Sequence, residues 1–293
     1  MKAIKTVSLL ALLSAIFLVV GFLLAGVTGL IVAIVGAFAM NFFSYWSSDK
    51  LVLRLTGARE VTPTQEPHLH RIVDEVSAMA GMPKPKVYIM QNDAPNAFAT
   101  GRNATHAAIA VTTGIMRILD DRELTAVLGH ELGHIRNHDI LVSAIAVTIG
   151  AAIGFLPWLL FFGFGRSRGG GIFGIVALLA TLILAPMAAG MIRMALSRTR
   201  EYGADETGAQ ITHTPLALAS ALQKLETSSK ARPMKVNPAV SHLFIVNPLS
   251  SKQQREGGGM VMGFFGNAFS THPPVKKRVE RLNEIARKMG SYS

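Results

Sequence analysis

Two histidines four residues apart with a glutamate between them are the residues of this chain best suited to chemistry: His130-Glu131-Leu132-Gly133-His134, an H-E-x-x-H pattern. On a helix, residues four apart share a face and rise about 6 Å, so both imidazoles can reach one Zn²⁺. Glu131 lies beside them, placed to take a proton from an attacking water and pass it to a leaving amine. The chemistry of such a site is metal-assisted amide hydrolysis. A random chain of this length would show the pattern about once in a hundred times, so its context has to support it. That context is a capping-box start at Asp120 and Glu123, with Val127, Leu128 and Ile135 as a packing face.

A catalytic zinc site takes three protein ligands and leaves a position open. The chain has no Cys, so every ligand must be His, Asp or Glu. His138 continues the four-residue spacing. On one helix, however, it would stand about 12 Å from His130 along the axis, too far to converge on one ion. Glu201, in Ser197-Arg198-Thr199-Arg200-Glu201-Tyr202-Gly203-Ala204-Asp205, is the better third ligand, and Asp205 could hold a ligand imidazole by its second nitrogen. The competing reading has Glu201 and Asp205 merely balancing Arg198 and Arg200 on a solvated helix.

The elements that must position these residues follow from hydropathy. Half of the 293 residues are apolar, yet 29 are Lys or Arg. With a mean hydropathy of +0.37, that combination points to membrane spans with basic flanks. The pI near 10.2 does not indicate nucleic-acid binding, because no basic helix interleaved with aromatics and no zinc finger accompanies it. Four uncharged apolar stretches are long enough to span: 6–25, 28–46, 140–165 and 172–192. A cleaved signal peptide fits the N-terminus poorly, since a second apolar stretch follows at once and no Ala-x-Ala site ends the first. Lys2, Lys5, Lys50, Arg54, Arg59, Arg193, Arg198 and Arg200 fall on one side, and only Arg166 and Arg168 on the other. By the positive-inside rule both termini and both polar regions are cytoplasmic. The second pair of spans then forms a hairpin whose ends return Glu201 to the leaflet of His130 and His134.

The expected organisation is therefore two N-terminal spans (1–48), a first polar part with the H-E-x-x-H helix (49–139), a transmembrane hairpin (140–192) and a second polar part with the third ligand (193–293). Within the polar parts, apolar spacing predicts helices over 66–80, 120–138, 215–226 and 274–289, and β-branched runs predict strands over 86–90 and 107–113. The polar, Gly-rich 250–260 stretch reads as a mobile loop. The fold class is mainly α with a small β-sheet.

Asn96-Ala97-Phe98-Ala99-Thr100-Gly101, the H-E-x-x-H segment, the run from Ser197 to Asp205 and Thr271-His272-Pro273-Pro274 occur in this order between paired apolar stretches. In these features nearly the whole chain resembles the HtpX family of membrane heat-shock metalloproteases, related more distantly to the CAAX prenyl endoproteases. The resemblance implies a zincin-like cytoplasmic protease domain with Glu131 as base, one Zn²⁺ per chain on His130, His134 and Glu201, and Asp205 supporting them. It also implies turnover of damaged or misassembled membrane proteins at the cytoplasmic face of a bacterial inner membrane. The partners so implied are membrane-protein and unfolded polypeptide substrates and the lipid bilayer, not nucleic acid. His138 departs from the family, where a small residue such as Gly is expected.

Three further expectations concern substrate and transition state. Asn96, Ala97 and Phe98 could form an edge strand that pairs with an extended substrate, against the alternative of a structural turn after Pro95. His272 and Arg278 could stabilise an oxyanion, against the alternative that prolines 273 and 274 merely position His272 in a loop. Two other functions remain open on the sequence: a CAAX-type protease, for which four spans are few, and a membrane scaffold or transporter. The charge-free span interiors disfavour a transport pathway.

Overall fold

The structure, a computed structural model, describes residues 49–139, 198–234, 236, 238–246 and 273–290, with isolated helical positions between 15 and 47. The expected spans 140–165 and 172–192, all of 6–25 but residues 15, 18 and 22, seven residues of 28–46, the 250–260 stretch and His272 lie outside these residues. Among the described residues no helix is long and apolar enough to cross a membrane.

Four strands make one mixed sheet: β1 (Arg59–Glu60), β2 (Lys86–Met90), β3 (Ala97–Gly101) and β4 (Ala107–Thr112), in the order β1-β2-β4-β3. β2 runs parallel to β4, while β1–β2 and β3–β4 are antiparallel. Side chains alternate between two buried layers, as the two-residue period of a strand requires. Val87, Ile89, Ala97, Ala99, Ile109 and Val111 join the main helical core. Met90, Phe98, Ala108 and Ala110 pack on the other face against Val52, Leu53, Met234 and Phe244. β4 is buried at every position, whereas β2 starts at exposed Lys86 and leaves Tyr88 partly covered.

Helices cover the first face: α1 (Pro67–Ala80), α2 (Thr113–Ile118), α3 (Asp121–Arg136), α4 (Arg198–Thr212), α5 (Pro215–Ala231) and α6 (Val275–Met289). α1 buries Leu69, Ile72, Val73 and Val76, its predicted stripe, and ends at left-handed Gly81. α3 opens with the predicted capping box: the Glu123 backbone N–H donates to Asp120 Oδ1 at 2.8 Å, and the Asp120 N–H donates to Glu123 Oε2 at 3.1 Å. The buried Glu123 also accepts from Ser220 Oγ (2.7 Å) and Lys224 Nζ (2.6 Å), which ties the start of α3 to α5.

α3 stops at Arg136, two residues short of the predicted 138, because His138 takes a left-handed φ of 58°. α5 runs on to Ala231, beyond the predicted 226. β1 and α2 had no sequence prediction; two residues are too few for a periodic signal, and six barely fill two helical turns.

Candidate metal centre

The site lies where α3 crosses α4, and the crossing depends on small residues. A Cβ on Gly208 of α4 would fall 2.7 Å from the backbone nitrogen of His130. A Cβ on Gly129 of α3 would fall 2.4 Å from Thr212 Cγ2. Real Cβ contacts do not occur at these distances, so glycine at both positions lets the helices approach more closely than ordinary side chains permit. The approach carries the first turn of α4, with Glu201 and Asp205, onto the face of α3 that bears both histidines.

His130 Nε2 and His134 Nε2 stand 3.1 Å apart, His134 Nε2 is 3.5 Å from Glu201 Oε1, and His130 Nε2 is 4.0 Å from Glu201 Oε2. One donor atom from each of the three residues can be chosen so that all lie within 4.8 Å of one another. A tetrahedral centre with bonds of ~2.0–2.1 Å separates its ligand atoms by roughly 3.3 Å, so the donor set fits a single zinc-sized ion. Each imidazole presents Nε2 to this point and Nδ1 to a carboxylate. His130 Nδ1 is 3.0 Å from Asp205 Oδ1, and His134 Nδ1 is 3.4 Å from Asp139 Oδ2. That arrangement selects the tautomer with Nε2 free to ligate.

Burial sets the electrostatics. His130 is fully enclosed, and desolvation pulls its pKa down to about 4 although Asp205 resists. Desolvation also acts on His134, but the Asp139, Glu201 and Glu131 carboxylates overcome it and raise the pKa to about 9. Glu131, 2% exposed, is pushed up to about 7 by burial, with Glu201 adding repulsion and the Ala99 backbone N–H opposing the shift. A buried carboxyl titrating near neutrality suits a group that must accept and return a proton. Burial would raise Asp205, yet the Arg278 charge and the hydrogen bonds from His130 and Arg278 hold it at about 2.

Arg278, an oxyanion candidate on the sequence, is buried beside the donor set, with Nη2 3.4 Å from His130 Nδ1 and 3.5 Å from His130 Nε2. It is 1% exposed and donates to both oxygens of Asp205, from Nη2 at 2.6 Å and from Nε at 2.9 Å. Nη1 donates to the Ile245 carbonyl at 3.0 Å and lies 3.5 Å from Glu201 Oε2. Its nitrogens thus face both Asp205 and the two donor residues His130 and Glu201. The strand residues also part ways. Asn96 is buried, and its side-chain amide grips Val246, with Nδ2 donating to the Val246 carbonyl at 2.9 Å. The Ala97 carbonyl accepts from the Ile245 N–H at 3.0 Å, and Phe98 packs edge-on against Phe244. β3 is the sheet edge that was expected, but Asn96 and Phe98 face the protein interior. Ala99, whose N–H meets Glu131, is the strand residue nearest the base.

The solvated-helix reading of Glu201 and Asp205 is therefore set aside: Asp205 is 1% exposed and the Glu201 side chain 13%. Residues that sequence reasoning passed over are Asp139, Gly208 and the 245–246 backbone. Gly129 and Gly133, four apart on the histidine helix, were a legible sign of close helix approach.

The model of peptidase family M48 matches residues 63–286. A protease HtpX homolog of Persephonella marina is 47% identical over 299 residues, covering 99% of this chain and 100% of the relative. Those of Aquifex aeolicus (48% over 286 residues; 94% and 91% covered) and Pyrococcus furiosus (47% over 293; 98% and 97%) are equally similar. Among solved structures, S. mikatae Ste24p shares the fold at a TM-score of 0.53 and 17% identity, over 96% of this chain and 65% of that one. With two histidines and a glutamate gathered where they could hold a metal ion inside the matched region, the chain belongs to the HtpX proteases of peptidase family M48 and is a metallopeptidase.

Proposed function

We propose that this protein is a membrane-anchored zinc endopeptidase that hydrolyses damaged or misfolded membrane proteins at the cytoplasmic face of a bacterial inner membrane. The observation that carries the catalytic part is the His130, His134 and Glu201 donor set with buried Glu131 beside it. His130, His134 and Glu201 would hold one Zn²⁺ per chain, which when bound polarises the scissile carbonyl and makes water a usable nucleophile. Glu131 takes the proton from the attacking water and returns it to the leaving amine. Asp205 and Arg278 keep His130 and Glu201 in place, and β3 near Ala99 receives the extended substrate. His272, close in sequence to Arg278, remains the candidate for the oxyanion.

The membrane anchor is supported by the apolar stretches and by the side chains between 22 and 46. Phe22, Val27, Ile31, Val32, Ile34, Val35, Phe38, Phe42 and Trp46 are each 47–74% exposed, a surface that water would penalise and lipid would not. In this reading 1–48 and 140–192 are the spans, and 49–139 with 193–293 form the cytoplasmic protease. Both termini are cytoplasmic, and unfolded polypeptides are accepted alongside membrane proteins.

The test is cleavage of an unfolded model substrate by purified, detergent-solubilised protein, stripped by chelator and then resupplied with zinc. Activity should return with zinc and be absent from Glu131→Gln, which keeps the metal. Undiminished cleavage by metal-loaded Glu131→Gln sinks the base assignment. A preference for a prenylated peptide over a misfolded membrane protein would replace the proposed substrate.

A further inference from the structure

We propose that Asp139 is the positioning residue for His134, and that the left-handed turn at His138 exists to bring it there. The proposal rests on the reading of His130, His134 and Glu201 as metal ligands. His130 has its Nδ1 partner, Asp205, on the neighbouring helix. His134 Nδ1 is instead met at 3.4 Å by Asp139 Oδ2, five residues on in the same chain. A continuing helix would put residue 139 roughly 140° around the axis from His134, pointing elsewhere. Instead α3 ends at Arg136, and His138 adopts φ 58°, the region that favours glycine. The helix path is broken there, and Asp139, 9% exposed, lies against the ligand ring.

Two contacts support the arrangement. The His138 ring lies against the helix end, with Nδ1 3.3 Å from the Ile135 carbonyl. Asp139 Oδ1 faces Arg200 Nε at 3.7 Å, so the carboxylate is held between the end of α3 and the start of α4. The Gly expected at 138 from the family resemblance thus has a physical reason in the left-handed backbone, which His138 meets at some strain. Asp139 does for the second ligand what Asp205 does for the first.

The experiment measures zinc affinity of the full-length solubilised protein by chelator competition, for wild type and for Asp139→Ala, Asp139→Asn and His134→Ala. The visible spectrum of the Co²⁺-substituted proteins and the melting temperatures of the metal-free proteins are recorded alongside. Asp139→Ala should bind zinc about 10- to 100-fold more weakly and shift the Co²⁺ bands, and Asp139→Asn, which keeps an acceptor, should recover part of the loss. Wild-type affinity and an unshifted Co²⁺ spectrum in Asp139→Ala would overturn the proposal while leaving the ligand assignment intact. Unchanged zinc binding in His134→Ala would overturn the ligand assignment itself, and the proposal with it. If Asp139→Ala lowers the metal-free melting temperature, Asp139→Asn decides: an affinity between wild type and His134→Ala supports the role, and one equal to wild type, with its Co²⁺ spectrum, overturns it.

Discussion

His130 and His134 sit one turn apart on one helix, yet their surroundings differ in kind. Around His130 everything is enclosed: the side chain is 0% exposed, its partner Asp205 is 2%, and the Arg278 that grips Asp205 is 1%. That half of the centre belongs to the core and joins α3, α4, α6 and the Ile245 carbonyl in one buried network. Around His134 the side chain is 15% exposed, and its partner Asp139 directly follows a two-residue turn that ends in left-handed His138. The difference teaches that one donor cluster can be structural on one side and adjustable on the other. Loss of an inner residue should cost folding, whereas loss of an outer one should cost metal affinity.

The comparison breaks most readily at Arg278. Arg278→Met leaves the Asp205 carboxylate buried without its main cation, and such losses cost about 3–5 kcal/mol. Chemical denaturation of the metal-free protein should show a loss on that scale, and one below about 1 kcal/mol would mean that the inner half is not structural. Next in size is Glu131→Gln. The wild-type carboxyl has its folded pKa raised from 4.5 to about 7, so the folded state holds its proton more tightly than the unfolded chain. Relative to Glu131→Gln, metal-free wild type should therefore lose about 3 kcal/mol of stability as pH rises from about 4.5 through 7, the opposite contribution of His130 being common to both proteins. Glu131→Gln should lack that loss, and parallel pH profiles of the two proteins would refute the burial argument.

Gly208→Ala should cost about 1–3 kcal/mol, because its Cβ meets helix backbone instead of a yielding side chain. Gly203→Ala, with nothing within 4 Å of the added Cβ, is the control. Zinc retention after gel filtration should fall for the first and hold for the second. The smallest effect is expected in the outer half. His138→Gly relieves left-handed strain and should raise stability by about 1 kcal/mol at most, seen as a higher melting temperature with zinc affinity unchanged. A loss of affinity there would mean that the His138 side chain contributes to the site after all.

Much of this protein can be read from local order. The capping box at Asp120 and Glu123, the stripe Leu69-Ile72-Val73-Val76 and the i,i+4 histidines are patterns within a few residues of one chain segment, where helix geometry alone dictates what faces what. Glu201 was also within reach, since the hairpin expected over 140–192 would return it to the leaflet of His130 and His134. The rest was not, because it depends on contacts between segments far apart in the chain. Asn96 is separated from Val246 by 150 residues and Arg278 from Asp205 by 73, and nothing in the local sequence says that an exposed-looking amide or guanidinium will find a buried partner. The sequence by itself determined the residue types that could bind a metal, the helix that presents two of them and the apolar stretches around them. Only the tertiary structure decided that Arg278 serves Asp205, that Asn96 faces inward and that Asp139 turns back onto His134. Burial and close helix approach convert such side chains from solvated groups into fixed partners, and both are properties of the packed chain.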